Sequence, residues 1–193
     1  MPVDNLPTSA CWEHSGLRRG FEVAYFSVGA FALRVEGTTT GLQDGEAFVV
    51  TYYLELDHEW RTRTARVAAH TVLGLIERVL ESDGEGRWRV DGEAASHLDG
   101  CLDVDLEASA VTNALPVHRL SLAVGKSEAI PAVYVRLTGE IVERLEQRYA
   151  RVEDREGCRR YDYEAPAFDF RSRLVYDENG LVVNYPGIAV RAG

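Results

Sequence analysis

The chain has 193 residues, 31 acidic and 21 basic side chains and a formal net charge of −10. That length suits one substantial domain burying roughly 70% of its unfolded surface, and the acidic excess repels polyanions, so nucleic acid is excluded as a partner. Three widely spaced cysteines, Cys11, Cys101 and Cys158, form no CxxC pair, which argues against a disulfide framework or a zinc site and suits a reduced, cytoplasmic setting.

Residues 1–11, with Pro2, Asp4, Asn5 and Pro7, read as a flexible lead-in without the basic start and apolar core of an export signal. No apolar run approaches the roughly 20 residues of an integral membrane segment. Residues 12–193 read as a single domain opening on Trp12. From Gly20 to Val35 an alternation sets Phe21, Val23, Tyr25, Phe31 and Val35 against Glu22, Ala24, Phe26 and Val28. Both sets are largely apolar, which predicts one or two strands covered on both faces and bent near Gly29. Glu22 is the exception, either an edge residue or a paired group in a pocket.

The Gly- and Thr-rich GTTTGLQDGE reads as a loop, and AFVVTYYLELD as a strand that Asp57-His58-Glu59 turns back. In WRTRTARVAAH the pattern puts Arg61 and Arg63 on one strand face, where they need carboxylates, water or an anionic ligand. Residues 72–80 fit a helix or a strand; Gly74 and the turn-like SDGEG favour a hairpin into RWRVDG.

The densest polar cluster lies in LDGCLDVDLEASAVTNALPVHRLSLAV, residues 98–124. A period-two strand over 98–106 would place Asp99, Cys101, Asp103 and Asp105 on one face, and a second strand over 117–124, returning after SAVTNALP, would bring Arg119 near Asp103 or Asp105. These carboxylates form a solvated face, an ordering Asp–Arg network or the lining of a cavity. Beyond them AIPAVYVRLTG is a strand, residues 141–152 fit helix or strand, and Glu178-Asn179-Gly180 is a hairpin turn before LVVNYPG. The sum is a mainly β, single-domain antiparallel curled sheet, a spiral β-roll or half-open barrel with at most one or two helices. Such sheets tend to enclose a cavity, and an exposed strand edge would allow a homodimer.

No GxxxxGK[ST], GxGxxG after a strand, HExxH or GxSxG occurs, and the five histidines show no ligand spacing. The sequence therefore implies no cofactor, no metal site and no recognised catalytic motif. A pair of facing carboxylates, Glu22 with Asp103 or Asp105, could still serve a glycosidase-like hydrolase or transferase.

The ordered landmarks Trp12 with Gly20-Phe21-Glu22, Tyr53-Leu54-Glu55-Leu56-Asp57 with Trp60 and Arg63, Gly86-Arg87-Trp88 and LDGCLDVDL form a recognisable set. It continues through Asn113, Leu115-Pro116-Val117-His118-Arg119-Leu120, Tyr134, Gln147-Arg148-Tyr149 and YDENGLVVNYPG, and over nearly its whole length the chain resembles a bacterial glycolipid-binding family. The resemblance implies a curled antiparallel roll, architecturally reminiscent of lipoprotein-localisation carriers, and a role in glycolipid metabolism or transport. On this reading apolar strand faces over 21–35 and 48–56 hold acyl groups of a glycolipid or similar amphipathic molecule. Glu22, Asp57, Arg63, Asp103, Asp105, Asn113 and Arg119 bind its polar head, with Trp12, Tyr53 and Trp60 as stacking surfaces. The competing readings are an enzyme acting on glycolipid-like substrates and a domain without ligand.

Overall fold

The computed structural model describes residues 6–30 and 32–193 and places fifteen strands in one sheet. The first half is a meander of β1 (Ser9–His14), β2 (Arg18–Val28), β3 (Leu33–Gln43), β4 (Glu46–Leu56), β5 (Thr62–Thr71), β6 (Gly74–Ser82), β7 (Trp88–Val90) and β8 (Glu93–Ala94). The second comprises β9 (Asp103–Leu106), the helix α1 (Ala114–Leu120), β10 (Ser127–Val135), β11 (Val142–Arg155), β12 (Cys158–Ala165), β13 (Phe170–Tyr176), β14 (Val182–Tyr185) and β15 (Ala189–Arg191). β15 pairs with β1 and joins the halves, so the order is 8-7-6-5-4-3-2-1-15-14-13-12-11-10-9. Every pairing is antiparallel except β9 with β10, which the crossover through α1 makes parallel.

The sheet curls without closing, and β8 and β9 form its two edges. Thr62 fastens the β9 end to the opposite half: its N–H donates to the Leu102 carbonyl and its hydroxyl accepts from the Val104 N–H. Alternation builds the interior, with Phe48, Val50, Tyr52, Leu54 and Leu56 of β4 and Ala24 and Phe26 of β2 all buried. The second half contributes Tyr149, Tyr161, Tyr163, Tyr176 and Tyr185, whose rings pack edge to face with centroids 5.0–6.4 Å apart.

Residues 72–80 and 141–152 are strand, in β6 and β11. Several local expectations are corrected. Residues 9–11 of the lead-in belong to β1, whereas residues 1–5 lie outside the described residues, as does Phe31. The GTTTG segment is the body of β3, and its turn is confined to Asp44-Gly45, both at positive φ as a tight hairpin demands. The outer face of β2 is not covered, since Phe21 and Tyr25 are exposed. A bulge between β4 and β5 pairs Glu55 with Thr64 but Leu56 with Thr62, so Arg63 is the extra residue and the expected arginine face dissolves.

The largest correction concerns residues 98–124. Only 103–106 is strand; Leu98 ends a short 3₁₀ turn and Gly100 sits at positive φ. Residues 111–113 form another 3₁₀ turn that runs into α1, where a second strand was expected. Residues 114–118 are all buried, His118 among them, so this seven-residue helix has no solvent-facing polar stripe from which a period could be read. Pro116 lies in its first turn, where no backbone donor is needed.

Candidate functional site: a cavity at one end of the roll

Within the second half of the sheet a cavity of about 390 Å³ opens among the hairpin turns. Strands β9, β10 and β11 supply Asp105, Tyr134 and Leu145; β12, β13 and β14 supply Tyr163, Phe170 and Tyr185. Ser109 and Asn113 enter from the segment before α1, while Leu17, Phe168 and Ile188 come from turns at the mouth. The lining is mainly apolar and aromatic with a few fixed polar groups, the composition typical of small-molecule sites.

Asp105 is the most distinctive of those groups. It accepts hydrogen bonds from Thr112 Oγ1 at 3.2 Å and from the Gln147 amide, which also donates to the Tyr163 hydroxyl at 3.0 Å. Burial outweighs these donors, and with Glu107 and Asp103 near, the carboxyl is pushed up to about 6. Burial likewise raises Tyr134, Tyr163 and Tyr185 far above the ordinary phenol value, so they stay neutral at any physiological pH. Asn113 is oriented by the Tyr149 hydroxyl on its Oδ1 and the Tyr176 hydroxyl on its carbonyl, both at 3.1 Å.

Two arginines border the cavity. Arg18 pairs with the Glu107 carboxylate at 3.2 Å and bonds its backbone carbonyl, while its buried Nε has no partner. Glu107 is held by the Leu137 N–H at 2.9 Å. Arg136 pairs with Glu143 at 2.7 Å and lies over the Tyr134 and Phe168 rings.

Behind the cavity wall sits Glu22, fully buried. Its carboxylate accepts from Ser109 Oγ at 2.5 Å, Tyr52 Oη at 2.6 Å and the Ala110 N–H at 2.8 Å, and His14 Nε2 lies 3.1 Å away. Gly37 makes room for this set, since a Cβ there would fall 2.1 Å from the Tyr52 ring. Glu22 is thus a structural anchor that fixes Ser109 at the cavity surface.

Of the residues singled out from sequence, the cavity gathers Asp105 and Asn113, with Glu22 one layer behind. Asp103 and Arg119 meet, but as a closed bidentate pair at 2.5 and 3.0 Å that leaves neither a ligand-facing edge; burial pushes Asp103 up and the guanidinium pulls it down. Of the expected carboxylate pairings, Glu22 with Asp103 or Asp105, Glu22 is taken up by Ser109, Tyr52, the Ala110 N–H and His14, and Asp103 by Arg119, whereas Asp105 lines the cavity. Trp12, wholly buried, spends its indole N–H on the Val182 carbonyl under Arg191. Trp60 is buried too, stacked on His118 at 3.6 Å with the rings 7° from parallel. Neither ring is accessible as a stacking platform. Tyr53 lies on the outer face, bonded to Glu55; Asp57 caps a turn through the Glu59 and Arg61 N–H groups; and the Arg63 guanidinium lies against Gly84. The sequence reading gave no binding role to Arg18, Glu107, Ser109, Tyr163 or Tyr185, and took Tyr134 as a family landmark without one. The alternating tyrosines of β12 and the pair of runs ending at Tyr134 and Tyr185 were the only available signal.

Residues 9–191 match the model of the family described as "Putative glycolipid-binding". The chain belongs to this family. The crystal structure of a DUF1089-family protein from Pseudomonas aeruginosa is similar at 30% identity with a TM-score of 0.78, covering 89% of this chain and 92% of that one. No curated protein matches the chain significantly. The glycolipid-binding family match spans the landmarks from Trp12 to the Pro-Gly at 186–187, and with it the curled, unclosed antiparallel sheet and its one α-helix. Among the described residues no helix of this family member is long and apolar enough to cross a membrane.

Proposed function

We propose that the cavity binds the junction between the polar head and the apolar chain of an amphipathic, glycolipid-like ligand. The observation that carries this reading is the lining itself: Phe168, Phe170, Leu145 and Ile188 beside Asp105, Asn113, Ser109 and Arg18 around one half-open cavity. At about 390 Å³ it lies toward the lower end of the roughly 300–1,000 Å³ usual for small-molecule sites. It accommodates a head group and the first part of a chain rather than a whole lipid. Each chain methylene that enters gains about 0.8 kcal/mol, and head-group hydroxyls find a carboxyl, an amide, a hydroxyl and a guanidinium already held in place.

The test is native mass spectrometry of the purified protein with lipid extraction, alongside a variant in which Leu145→Trp fills the cavity. A retained amphiphile in the wild type, absent from a folded filled variant, supports the reading. A wild type that retains nothing and gains no thermal stability from a glycolipid panel overturns it.

The position of Asp105 favours one second reading, that the site also catalyses. A carboxyl poised near neutrality in a cavity suits general acid or base work. Turnover of a glycolipid substrate that Asp105→Asn abolishes while retaining binding would establish it; unchanged turnover, or none with any substrate of the panel, would sink it.

A further inference from the structure

The turns of the roll are sorted by character. Following the registers from β6 to β10, the turns at 15–17, 44–45, 72–73, 136–141, 166–169 and 186–188 all fall at the same end of the strands. Those turns and the residue just inside β6 carry Leu17, Val72, Leu73, Leu75, Ile141 and Phe168, whose exposures run from 41% for Phe168 to 66% for Leu73. Described connections at the other end, at 57–61, 83–87, 121–126, 156–157 and 177–181, present Asp57, Glu59, Asp83, Glu85, Glu156 and Glu178. Among the described residues Val28 and Val124 are the large apolar side chains exposed at that end. The apolar end is not free of charge, since Asp44, Glu140 and Asp169 sit there with Arg136 and Arg171. The tips nonetheless converge: a Cβ on Gly139 would lie 3.4 Å from Ile76 Cγ2, so the turn before β11 meets the β5–β6 hairpin and brings the two halves of the sheet together.

The cavity opens at this same end, with Leu17, Phe168 and Ile188 in its lining. Aliphatic and aromatic side chains held out on short turns gain free energy by leaving water, and a protein interface is not needed to provide that if an acyl region is at hand. We propose that the apolar end of the roll docks on a lipid bilayer, the six exposed side chains entering the interfacial region so that the cavity mouth faces the membrane. The choice of a bilayer over a protein partner rests on the ligand reading above, because an amphipathic ligand resides in a membrane before it is bound. Charge agrees: most turn carboxylates sit at the far end, and a chain of net charge −10 favours insertion into zwitterionic rather than anionic lipid.

The experiment is flotation of the full chain with phosphatidylcholine vesicles, comparing the wild type, a Leu17→Ser/Leu73→Ser double variant and Val28→Ser at the opposite end. Thermal melts confirm that each is folded, and the exposed single variant Leu73→Ser is the fallback if the double is not. The wild type and Val28→Ser should float, and the double variant should partition at least on the order of tenfold less, as expected for two aliphatic side chains kept in water. Adding salt should leave the wild-type fraction undiminished, and adding phosphatidylglycerol should reduce it.

A wild type that does not float overturns the proposal, as does a double variant that floats equally well or binding confined to anionic vesicles and abolished by salt. A dimer in light scattering that the tip variants dissolve, with no vesicle binding, would identify a second copy as the occupant instead. Native mass spectrometry and the glycolipid-panel melts on the same samples separate the two ideas: retained ligand without flotation leaves the cavity reading standing and ends the docking one, and flotation with neither retained ligand nor thermal stabilisation by the panel does the reverse.

Discussion

Asp105→Asn should make the protein more stable at neutral pH. The native carboxyl is lifted from 3.8 to about 6, chiefly by burial, and each pH unit of such displacement is worth about 1.4 kcal/mol. Keeping it ionised inside the fold at pH 8 therefore costs on the order of 3 kcal/mol, an upper value because the side chain borders a cavity. An asparagine never carries the charge; its one oxygen can accept from the Gln147 amide while its NH2 donates to the Thr112 hydroxyl, whose own proton then turns to the Ser109 carbonyl. The sign follows from proton binding: between about 6 and 3.8 the folded state holds the proton more tightly than the unfolded, so wild-type stability from this group rises as pH falls. The advantage of the variant should thus be full at pH 8 and largely gone by pH 4.5. For a chain of this length about 3 kcal/mol corresponds to a rise in Tm of roughly 5–10 °C, measurable by thermal and urea melts at the two pH values. A variant no more stable than the wild type at pH 8, or a difference independent of pH, would refute burial of this carboxyl as the cause.

Three further outcomes are expected. Arg119→Met leaves Asp103 buried without its cation and should cost about 3–5 kcal/mol at pH 8 in urea unfolding, with the loss shrinking in acid as the orphaned carboxyl protonates. Gly37→Ala forces the Tyr52 ring off its site, so about 1–3 kcal/mol of stability should be lost, visible in urea melts, together with the Tyr52 bond to Glu22. Burial pushes His118 down to about 3, so its neutral form stabilises the fold above pH 6.5 and that contribution is lost as pH falls toward 3; His118→Phe, which can keep the stack on Trp60, should flatten the acid limb of the stability profile in melts between pH 7 and 4.

The sheet was readable wherever a strand has one wet face. β4 shows this, since Phe48, Val50, Tyr52, Leu54 and Leu56 alternate with residues turned outward. Hairpins marked by Asp-Gly or Asn-Gly were readable because positive φ restricts the residues that can sit there. The segment from Leu98 to Val124 was not, because it lies inside the roll: once a segment is enclosed on all sides, polarity no longer reports its direction, and Ala114–His118 looks the same as strand or helix. The same enclosure separates the aspartates of LDVDL. Asp103 and Asp105 are equivalent in the sequence, and only the positions of Arg119 and Gln147 make one a closed ion pair and the other a cavity carboxyl. Arg18 and Ser109 went unnoticed because their partners, Glu107 and Glu22, are 89 and 87 residues away. The indoles of Trp12 and Trp60 were assigned outward roles that their burial forbids.

Among the described residues the pairing of β15 with β1 makes residues 189–191 the one seam along the ladder between the two halves of the sheet. During synthesis β1 must therefore wait, one flank open, until residues 189–191 have left the ribosome. Folding of this topology is expected to be slow, and its nascent first half, with an unpaired edge next to Trp12, is the species most exposed to misassociation before release.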